Sequence, residues 1–277
     1  METALVATDV TTDVGAEYRI PPELEPDISH IVTEDNAPVD NIFSERQQRL
    51  LAQTLHSSWK SPEPFVALAN VGLFYALRKP PLVPDMLLSL GVEPNKGIAD
   101  LNLSEKRNRS YFVWEYGKPP DLVVEIVSNL KGGELDEKMR LYAEIGIDFY
   151  VVFDPFQEYG TPTLRAFALV SGDYEPLPEA HFKRLGLRLQ LWRGTFEGFE
   201  DEWIRWFTDD NRIMLPSAEE LDAALAETQK HREIAEMVAE QERDRANTER
   251  ERANTERERA EALAQKLREL GINPESL

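Results

Sequence analysis

The chain has no cysteine, so disulfide bonds and thiolate metal ligands are excluded. It also has no run of 18 apolar residues that would predict a membrane-spanning helix, and its first residues lack the basic segment of a signal peptide. Its four histidines are scattered, which offers no zinc-binding pattern, and no glycine-rich phosphate-binding loop occurs. We therefore expect a soluble, cytoplasmic protein that makes no contact with membranes.

Basic residues are in deficit, since 31 Lys and Arg stand against 51 Asp and Glu and give a formal net charge of −20. The deficit is uneven: residues 1–42 carry −9, residues 43–216 carry −5 and residues 217–277 carry −6. Within 43–216 there is no basic stripe of the kind that dominates phosphate binding. Composition alone therefore gives no indication of a nucleic-acid partner.

Composition and periodicity divide the chain into three segments. Residues 1–42 are acidic and contain proline without a periodic pattern, which predicts a disordered arm with at most a short edge strand at 28–32. Residues 43–216 are numerous enough for one domain with its own core. Residues 217–277 begin with a helical pattern that neither proline nor glycine interrupts before Gly271.

The helical tail contains a heptad duplication, because RANTERE occupies 245–251 and again 252–258. Large apolar residues occupy heptad core positions only near the ends of the tail, and three glutamates at d positions disfavour a continuous coiled-coil seam. Opposite charges three and four residues apart can stabilise an exposed helix. We therefore expect a charged helix with a weak coiled-coil tendency, which leaves a homo-oligomer open.

The stretch from 119 to 155 contains a carboxylate in an apolar setting. Residues 122–127 are almost all β-branched or apolar, which predicts a strand buried on both faces. Glu125 interrupts this run, and alternation places it on the same face as Asp121 and Val127. A buried carboxylate needs a cation, a hydrogen-bond donor or a proton. Glu125 is therefore expected to have a partner.

A helix after this strand brings a lysine toward the sheet. The pattern predicts a helix from 134 to 145 with Gly146 as its end, followed by a strand at 149–153. Lys138 and Tyr142 lie on the apolar stripe of the helix. The lysine either lays its stem over apolar neighbours and extends to water or approaches the buried glutamate. Spacing alone leaves both interpretations open.

Periodicity predicts the other elements of the domain. A helix spans about 41–59 with Ser44 as its N-cap, because leucines recur at helical spacing after it. Apolar and aromatic runs predict further strands, with a hairpin turning at 171–173. The predicted strands are 65–75 (one bent strand or two short ones), 82–88, 110–116, 163–170, 174–176, 187–192, 203–207 and 213–214. The last of these form an outer β layer that covers the sheet or builds a dimer surface.

Asp85 is the second carboxylate in an apolar strand pattern. An aspartate directly after proline often forms a turn. The apolar run of 82–88 continues past Asp85, however, and a turn would not require this. The pattern therefore favours a site residue on a strand next to Glu125.

These motifs resemble the Uma2 family of restriction endonuclease-like proteins, which is assigned to the PD-(D/E)XK nuclease superfamily. The resemblance rests on PDLVVEIVS, on a helix carrying EK with a tyrosine four residues on, and on a strand ending in DP, and it covers about 43–195. The element order of 43–155, helix, three strands, helix, strand, is the αβββαβ order of that superfamily. The resemblance implies an α/β (α+β) fold with a restriction-endonuclease-like core, additional β-strands and then the long charged C-terminal helix.

The resemblance also implies a Mg²⁺-dependent endonuclease, with Mn²⁺ as an alternative, that hydrolyses phosphodiester bonds of DNA. Asp85 and Glu125 would hold the metal, since Mg²⁺ needs few carboxylates beside water and phosphate oxygens. Lys138 would stabilise developing negative charge. The candidates for accessory roles are Glu45, Asp121 and Tyr142.

The chain departs from the superfamily pattern at Val127, where the motif lysine would stand, and Lys138 would supply the charge from the following helix instead. Glu45 either stabilises a helix N-terminus or resembles the acid that some members supply from the first core helix. Asp121 lies about 13 Å along the strand from Glu125, which disfavours Asp121 as a direct metal ligand.

The alternative function is a catalytically inactive nuclease-fold interaction protein acting through its helical tail, which the acidic charge favours.

Overall fold

The computed structural model describes residues 41–92, 108–128, 133–210 and 213–269. The chain forms two compact units, Met1–Leu215 and Pro216–Leu277. The helices of the first unit are α1 (Ile42–Ser58), α2 (Val113–Tyr116) and α3 (Glu137–Ile145). Its strands are β1 (Phe65–Ala69), β2 (Leu73–Phe74), β3 (Met86–Leu90), β4 (Tyr111–Phe112), β5 (Leu122–Ile126), β6 (Phe149–Phe153), β7 (Leu164–Val170), β8 (Asp173–Pro176), β9 (His181–Phe182), β10 (Leu187–Phe196) and β11 (Phe199–Thr208). The second unit contains helix α4 (Ala218–Glu269).

The centre of the first unit is a six-stranded sheet with the order β1-β3-β5-β6-β7-β8. Strands β5 and β6 are parallel, and every other neighbouring pair is antiparallel. A parallel pair requires a crossover connection, and α3 lies in the segment that provides it. The order α1, β1, β3, β5, α3, β6 confirms the predicted α/β (α+β) class with an αβββαβ core, to which β7 to β11 add strands.

Strand β5 is buried on both faces, as predicted. On one face, Leu122, Val124 and Ile126 pack in a core with α1 and the β10–β11 hairpin. On the other face, Val123 and Val127 pack in a core with α3 and β6. Each such buried aliphatic side chain contributes about 1.5–3 kcal/mol relative to exposure. The strand that carries Glu125 is therefore among the most firmly held parts of the molecule.

Helix α1 is fastened to β11 by a buried glutamine. Gln47 Nε2 donates to the carbonyl oxygen of Ile204 at 3.0 Å, and the Ile204 N–H donates back to Gln47 Oε1 at 2.9 Å. The indole N–H of Trp206 donates to the carbonyl oxygen of Leu51 at 3.0 Å. Buried backbone groups must be paired, so these bonds fix how α1 sits over the sheet.

The start of α1 differs from the prediction. Asn41 is the N-cap, because its Oδ1 accepts the Ser44 N–H at 2.8 Å, and the helix begins at Ile42. Asparagine and serine are both good caps, and the prediction of Ser44 was wrong because the asparagine three residues earlier takes this role. The predicted disordered arm therefore cannot extend to 42, and its residues 1–40, including the edge strand at 28–32, lie outside the described residues.

The aromatic run at 110–116 forms less strand than predicted. Only Tyr111 and Phe112 pair, in parallel with β2, and Val113–Tyr116 is a helical turn that ends at Gly117 with φ +75°. Aromatic residues suit any half-buried surface, so β-propensity does not decide between the two structures. Most of the polar excursion expected before this run, 93–107, lies outside the described residues.

The predicted hairpin at 171–173 is confirmed as the connection of β7 and β8. Ser171 and Gly172 both have positive φ, as the tightest hairpin turns require. The predicted strand 65–75 is two short strands, and 187–192 extends to Phe196. Strands β10 and β11 cover one face of the sheet. A dimer surface on this layer stays a prediction.

The second unit contains a 52-residue helix whose described side chains are almost all exposed. Its start is a capping box, because Ser217 N–H donates to Glu220 Oε2 at 2.7 Å and Glu220 N–H donates to Ser217 Oγ at 3.3 Å. Ion pairs four residues apart, Arg232 with Glu236 and Arg257 with Glu261, support the exposed helix. None of the helices in the described ranges combines the length and the apolar character of a membrane span. The coiled-coil tendency of the tail stays a prediction.

Deletion of residues 217–277 is expected to lower the number of copies per assembly, which is the molar mass measured by light scattering at high protein concentration divided by the mass of one chain. The tail carries the heptad positions through which copies would associate. Leu225, which is exposed on α4, offers a full-length variant for the same measurement, since Leu225→Glu places a charge at a heptad core position. The same number of copies per assembly in the wild type and in both altered proteins would show that the tail has no part in assembly.

Candidate active site

Asp85 and Glu125 come together where β3 starts and β5 ends. Met86 pairs with Val124 across these antiparallel strands, Asp85 directly precedes Met86, and Glu125 directly follows Val124. Asp85 Oδ2 accepts the N–H of Ile126 at 2.6 Å. The strand begins just after Asp85 rather than running through it, so the predicted strand 82–88 starts later than expected. Asp85 therefore lies just before β3 and Glu125 lies in the neighbouring strand β5, so only one of the two carboxylates stands on a strand.

Glu125 has the partners that its burial requires. The residue is 1% exposed. Lys138 Nζ donates to its Oε2 at 2.9 Å, and the Tyr142 hydroxyl donates to its Oε1 at 2.5 Å. Helix α3 supplies both donors because Lys138 and Tyr142 are four residues apart and lie on the same stripe. Lys138 therefore lies at Glu125 in the structure, and its part in a reaction stays a prediction.

The pKa values of Glu125 and Lys138 are shifted by burial and by neighbouring carboxylates. Burial raises the pKa of Glu125 to about 7, and the charge of Asp85 acts in the same direction, while Lys138 and the Tyr142 hydroxyl oppose it. Burial acts to lower the pKa of Lys138, but Glu125 and Glu134 outweigh it and raise that pKa above its usual range. Lys138 is therefore charged at neutral pH. The site therefore contains more carboxylates than positively charged side chains.

Gln48 holds Asp85 from helix α1 and was not predicted from the sequence. Its side-chain amide donates a short hydrogen bond to Asp85 Oδ1. Gln48 is 5% exposed, three residues before Leu51 on the buried stripe of the helix. A polar side chain in an apolar stripe is the signal that could have indicated it.

A second residue missed from the sequence is Glu134, which lies one turn before Lys138. Lys138 Nζ is 3.5 Å from Glu134 Oε1. Glu134 is 4% exposed, and its Oε2 accepts the Tyr159 hydroxyl at 3.1 Å. Helix α3 begins at Glu137 rather than at 134, so Glu134 lies in the turn that precedes the helix.

Asp121 occupies the entrance of β5, at the opposite end from Glu125. Its carboxylate is buried and accepts the Leu90 N–H at 2.8 Å, Lys118 Nζ at 2.5 Å and Arg184 Nη2 at 2.6 Å. Asp121 therefore fastens the start of the strand. Among the described residues, its contacts do not include Asp85, Glu125 or Lys138.

Glu45 lies in the first turn of α1 and pairs with Arg49 at 2.9 and 3.0 Å. Arg49 also pairs with Glu197 of the β10–β11 turn. The hydrogen bond from Arg49 lowers the pKa of Glu45. Within the described part of the chain, Glu45 makes no contact with Asp85 or Glu125. Its accessory role in a reaction stays a prediction.

The carboxylates of the site fit a hard divalent cation that needs only a few carboxylate ligands from the protein. In the described ranges, no three His, Cys, Asp or Glu side chains gather as a metal site. Asp85 and Glu125 are two neighbouring carboxylates, and a pair of carboxylates would suit Mg²⁺, which keeps several waters and takes phosphate oxygens of its substrate. Mn²⁺ accepts the same oxygen ligands.

Comparisons with known proteins place these residues in a family. The sequence model of the Uma2 family, described as "Putative restriction endonuclease", matches residues 22–192. One solved structure that is similar is a "putative nuclease belonging to DUF820" from Anabaena variabilis, at 14% identity and a TM-score of 0.34 over 52% of this chain and 71% of that chain. No curated protein matches. Because the match to the family spans more than half of the sequence and contains Asp85, Glu125 and Lys138, the chain belongs to the Uma2 family.

Proposed function

We propose that the protein is a Mg²⁺-dependent endonuclease that hydrolyses phosphodiester bonds of DNA. Membership of the Uma2 family supports a nuclease. The observation that supports a metal-dependent cleavage of DNA is that two carboxylates and one lysine lie together where β3 starts and β5 ends. Nuclease chemistry needs groups that gather positive charge around a phosphate, and these three residues can do so.

The residues of the site have distinct roles in this proposal. Asp85 and Glu125 would hold the cation, and Gln48 and the Ile126 N–H fix the orientation of the Asp85 carboxylate. The bound cation would lower the pKa of a water and neutralise charge on the phosphate. Lys138, which is charged and lies beside this pair of carboxylates, would donate to an oxygen of the phosphate as negative charge develops.

Tyr142 keeps the Glu125 carboxylate in place without acting as an acid or base. Burial and the neighbouring Glu125 raise its pKa well above the usual range. The hydroxyl therefore keeps its proton at neutral pH and remains a hydrogen-bond donor to Glu125. In this proposal Tyr142 orients one oxygen of Glu125 and leaves the other toward Lys138.

The experiment that tests the proposal is cleavage of supercoiled and of single-stranded DNA by the wild type, with Mg²⁺, with Mn²⁺ and with EDTA. We expect nicking or linearisation only when a divalent cation is present. Cleavage that continues in EDTA would contradict the metal site. A folded protein that cuts neither substrate would favour an interaction protein instead, and the exposed helix α4 is then the surface to search for a partner.

Lys138→Met is expected to lower the single-turnover rate of DNA cleavage about 10²-fold to 10³-fold, the usual cost of removing one preorganised donor from a charge-stabilising site. Lys138→Arg should recover part of the rate, because it keeps the charge while changing the geometry. DNA affinity, measured in Ca²⁺, should change little in either variant. A rate within threefold of wild type in Lys138→Met would contradict the role of the lysine.

A further inference from the structure

Lys138 stands between two acids that differ in their surroundings. Its Nζ is 2.9 Å from Glu125 Oε2 and 3.5 Å from Glu134 Oε1. The Lys138 side chain is 28% exposed, whereas the side chains of Glu125 and Glu134 are 2% and 6% exposed. An ammonium with two buried carboxylates in reach can exchange one for the other by a small rotation of its side chain.

Glu134 is fixed at both its backbone and its carboxylate. The Tyr150 hydroxyl donates to the Glu134 carbonyl oxygen at 2.8 Å. The Tyr159 hydroxyl donates to Glu134 Oε2 at 3.1 Å, which leaves Oε1 facing Lys138. A buried carboxylate held in this way presents one oxygen in a constant direction.

The loop that carries Tyr159 is itself well ordered. Asp154 accepts the N–H groups of Glu158 and Tyr159 at 2.9 and 2.8 Å. Arg165 Nη2 donates to the carbonyl oxygens of Tyr159 and Gly160 at 3.1 and 2.7 Å. These bonds tie the loop to the end of β6 and to β7. The position of the Tyr159 hydroxyl is therefore set by the sheet.

In the structure Glu134 contacts Lys138. In the described ranges no third acid gathers with Asp85 and Glu125. When Glu125 is engaged by a divalent cation, Lys138 must give up part of its bond to that carboxylate, because two cations compete for one oxygen and repel each other. A lysine without a second acid would then extend into water, where its chain has most freedom.

We propose that Glu134 is a positioning residue that keeps Lys138 at the site when Asp85 and Glu125 hold a divalent cation, with Tyr159 fixing the Glu134 carboxylate for this purpose. The inference rests on the proposed function. Lys138 has Glu125 as its main partner in the free protein and Glu134 as its main partner in the loaded protein. Glu134 thus offsets the free-energy cost of displacing Lys138 from Glu125 when the cation binds.

The test is a double-mutant cycle on Mg²⁺ affinity, measured by isothermal titration calorimetry on the full chain without DNA. The four proteins are the wild type, Glu134→Gln, Lys138→Met and the double variant. We expect Glu134→Gln to weaken Mg²⁺ binding about tenfold when Lys138 is present, and less than about threefold when it is replaced, since contacting residues couple at this scale. Equal weakening in both backgrounds would overturn the proposal, because a general effect of charge or folding does not depend on the lysine.

Matched variants separate positioning from structure. Tyr159→Phe should weaken Mg²⁺ binding in the same direction by about twofold to threefold, since it removes one neutral hydrogen bond. Glu137, exposed in the first turn of α3, provides the control, and Glu137→Gln should leave Mg²⁺ affinity unchanged. An effect of Glu137→Gln equal to that of Glu134→Gln would overturn the specific role of Glu134.

Cleavage kinetics provide a second measurement, which distinguishes a failure of the proposed nuclease function from a failure of the proposed role of Glu134. Glu134→Gln should lower kcat for DNA cleavage by about tenfold and leave KM nearly constant, because the lysine acts on the phosphate during the reaction. If the wild type does not bind Mg²⁺, the proposed function fails and this inference with it. If Mg²⁺ binds and DNA is cut, but the cycle is additive, only the role of Glu134 fails.

Discussion

Glu125→Gln and Asp85→Asn are each expected to lower the rate of metal-dependent DNA cleavage by about 10³-fold or more. Each substitution keeps the size of the side chain and removes one of the two carboxylates proposed to hold the cation. Several kcal/mol of charge stabilisation are lost with the cation, and each 1.36 kcal/mol corresponds to about tenfold in rate. The measurement is single-turnover cleavage of supercoiled DNA with Mg²⁺ in excess, with folding checked by circular dichroism.

The matched control for these variants is Asp121→Asn. Asp121 is a buried aspartate next to the same strand, and the structure pairs it with Lys118 and Arg184 rather than with the site. We expect the folded fraction of Asp121→Asn to cleave at the wild-type rate. Cleavage that survives Glu125→Gln at the wild-type rate would point to a different site or to a contaminating nuclease.

The position of Glu125 was predictable because it interrupts a continuous run of apolar residues. A strand buried on both faces appears as a continuous apolar run, and a charge inside that run is conspicuous. The helix after it was predicted at 134–145, and its apolar stripe placed Lys138 and Tyr142 on the sheet side. In the structure both side chains donate hydrogen bonds to Glu125, a contact that the sequence left open for Lys138 and did not predict for Tyr142.

The surroundings of the two carboxylates were not predictable in the same way. Gln48 reaches Asp85 from a helix that begins more than 40 residues before β3, and the sequence shows only a glutamine near leucines. Glu134 was expected to be the first residue of α3, but it lies in the preceding turn and is held by Tyr159 from a loop after β6. Contacts between distant segments depend on how the elements pack, and periodicity does not report this.

Val127 shows how the structure accounts for a departure from a motif. The resemblance drawn from the sequence implies a lysine at this position, but in this chain the valine side chain is fully buried in the core beneath α3. A lysine at this position would have to bury its charge among apolar neighbours. The lysine on α3 reaches the same glutamate and keeps more than a quarter of its side chain exposed. Its catalytic role stays a proposal.

Asp121→Ala is expected to lower the free energy of unfolding by about 3 kcal/mol, a large share of the roughly 5–15 kcal/mol of a typical domain. The change leaves the buried Leu90 N–H without its acceptor, which costs about 1–3 kcal/mol. It also removes charge-assisted bonds from Lys118 and Arg184, whose contribution is reduced because these side chains are 34% and 55% exposed. Urea unfolding followed by circular dichroism measures the difference.

The control for this prediction is Asp148→Ala, because Arg184 Nη2 contacts both aspartates. Asp148 has a side chain that is 45% exposed, whereas that of Asp121 is 3% exposed. An exposed ion pair typically contributes less than about 1 kcal/mol, so Asp148→Ala should shift the unfolding midpoint only slightly. Equal losses in the two variants would show that the shared arginine, and not the burial of Asp121 against the Leu90 N–H, determines the stability of this end of β5.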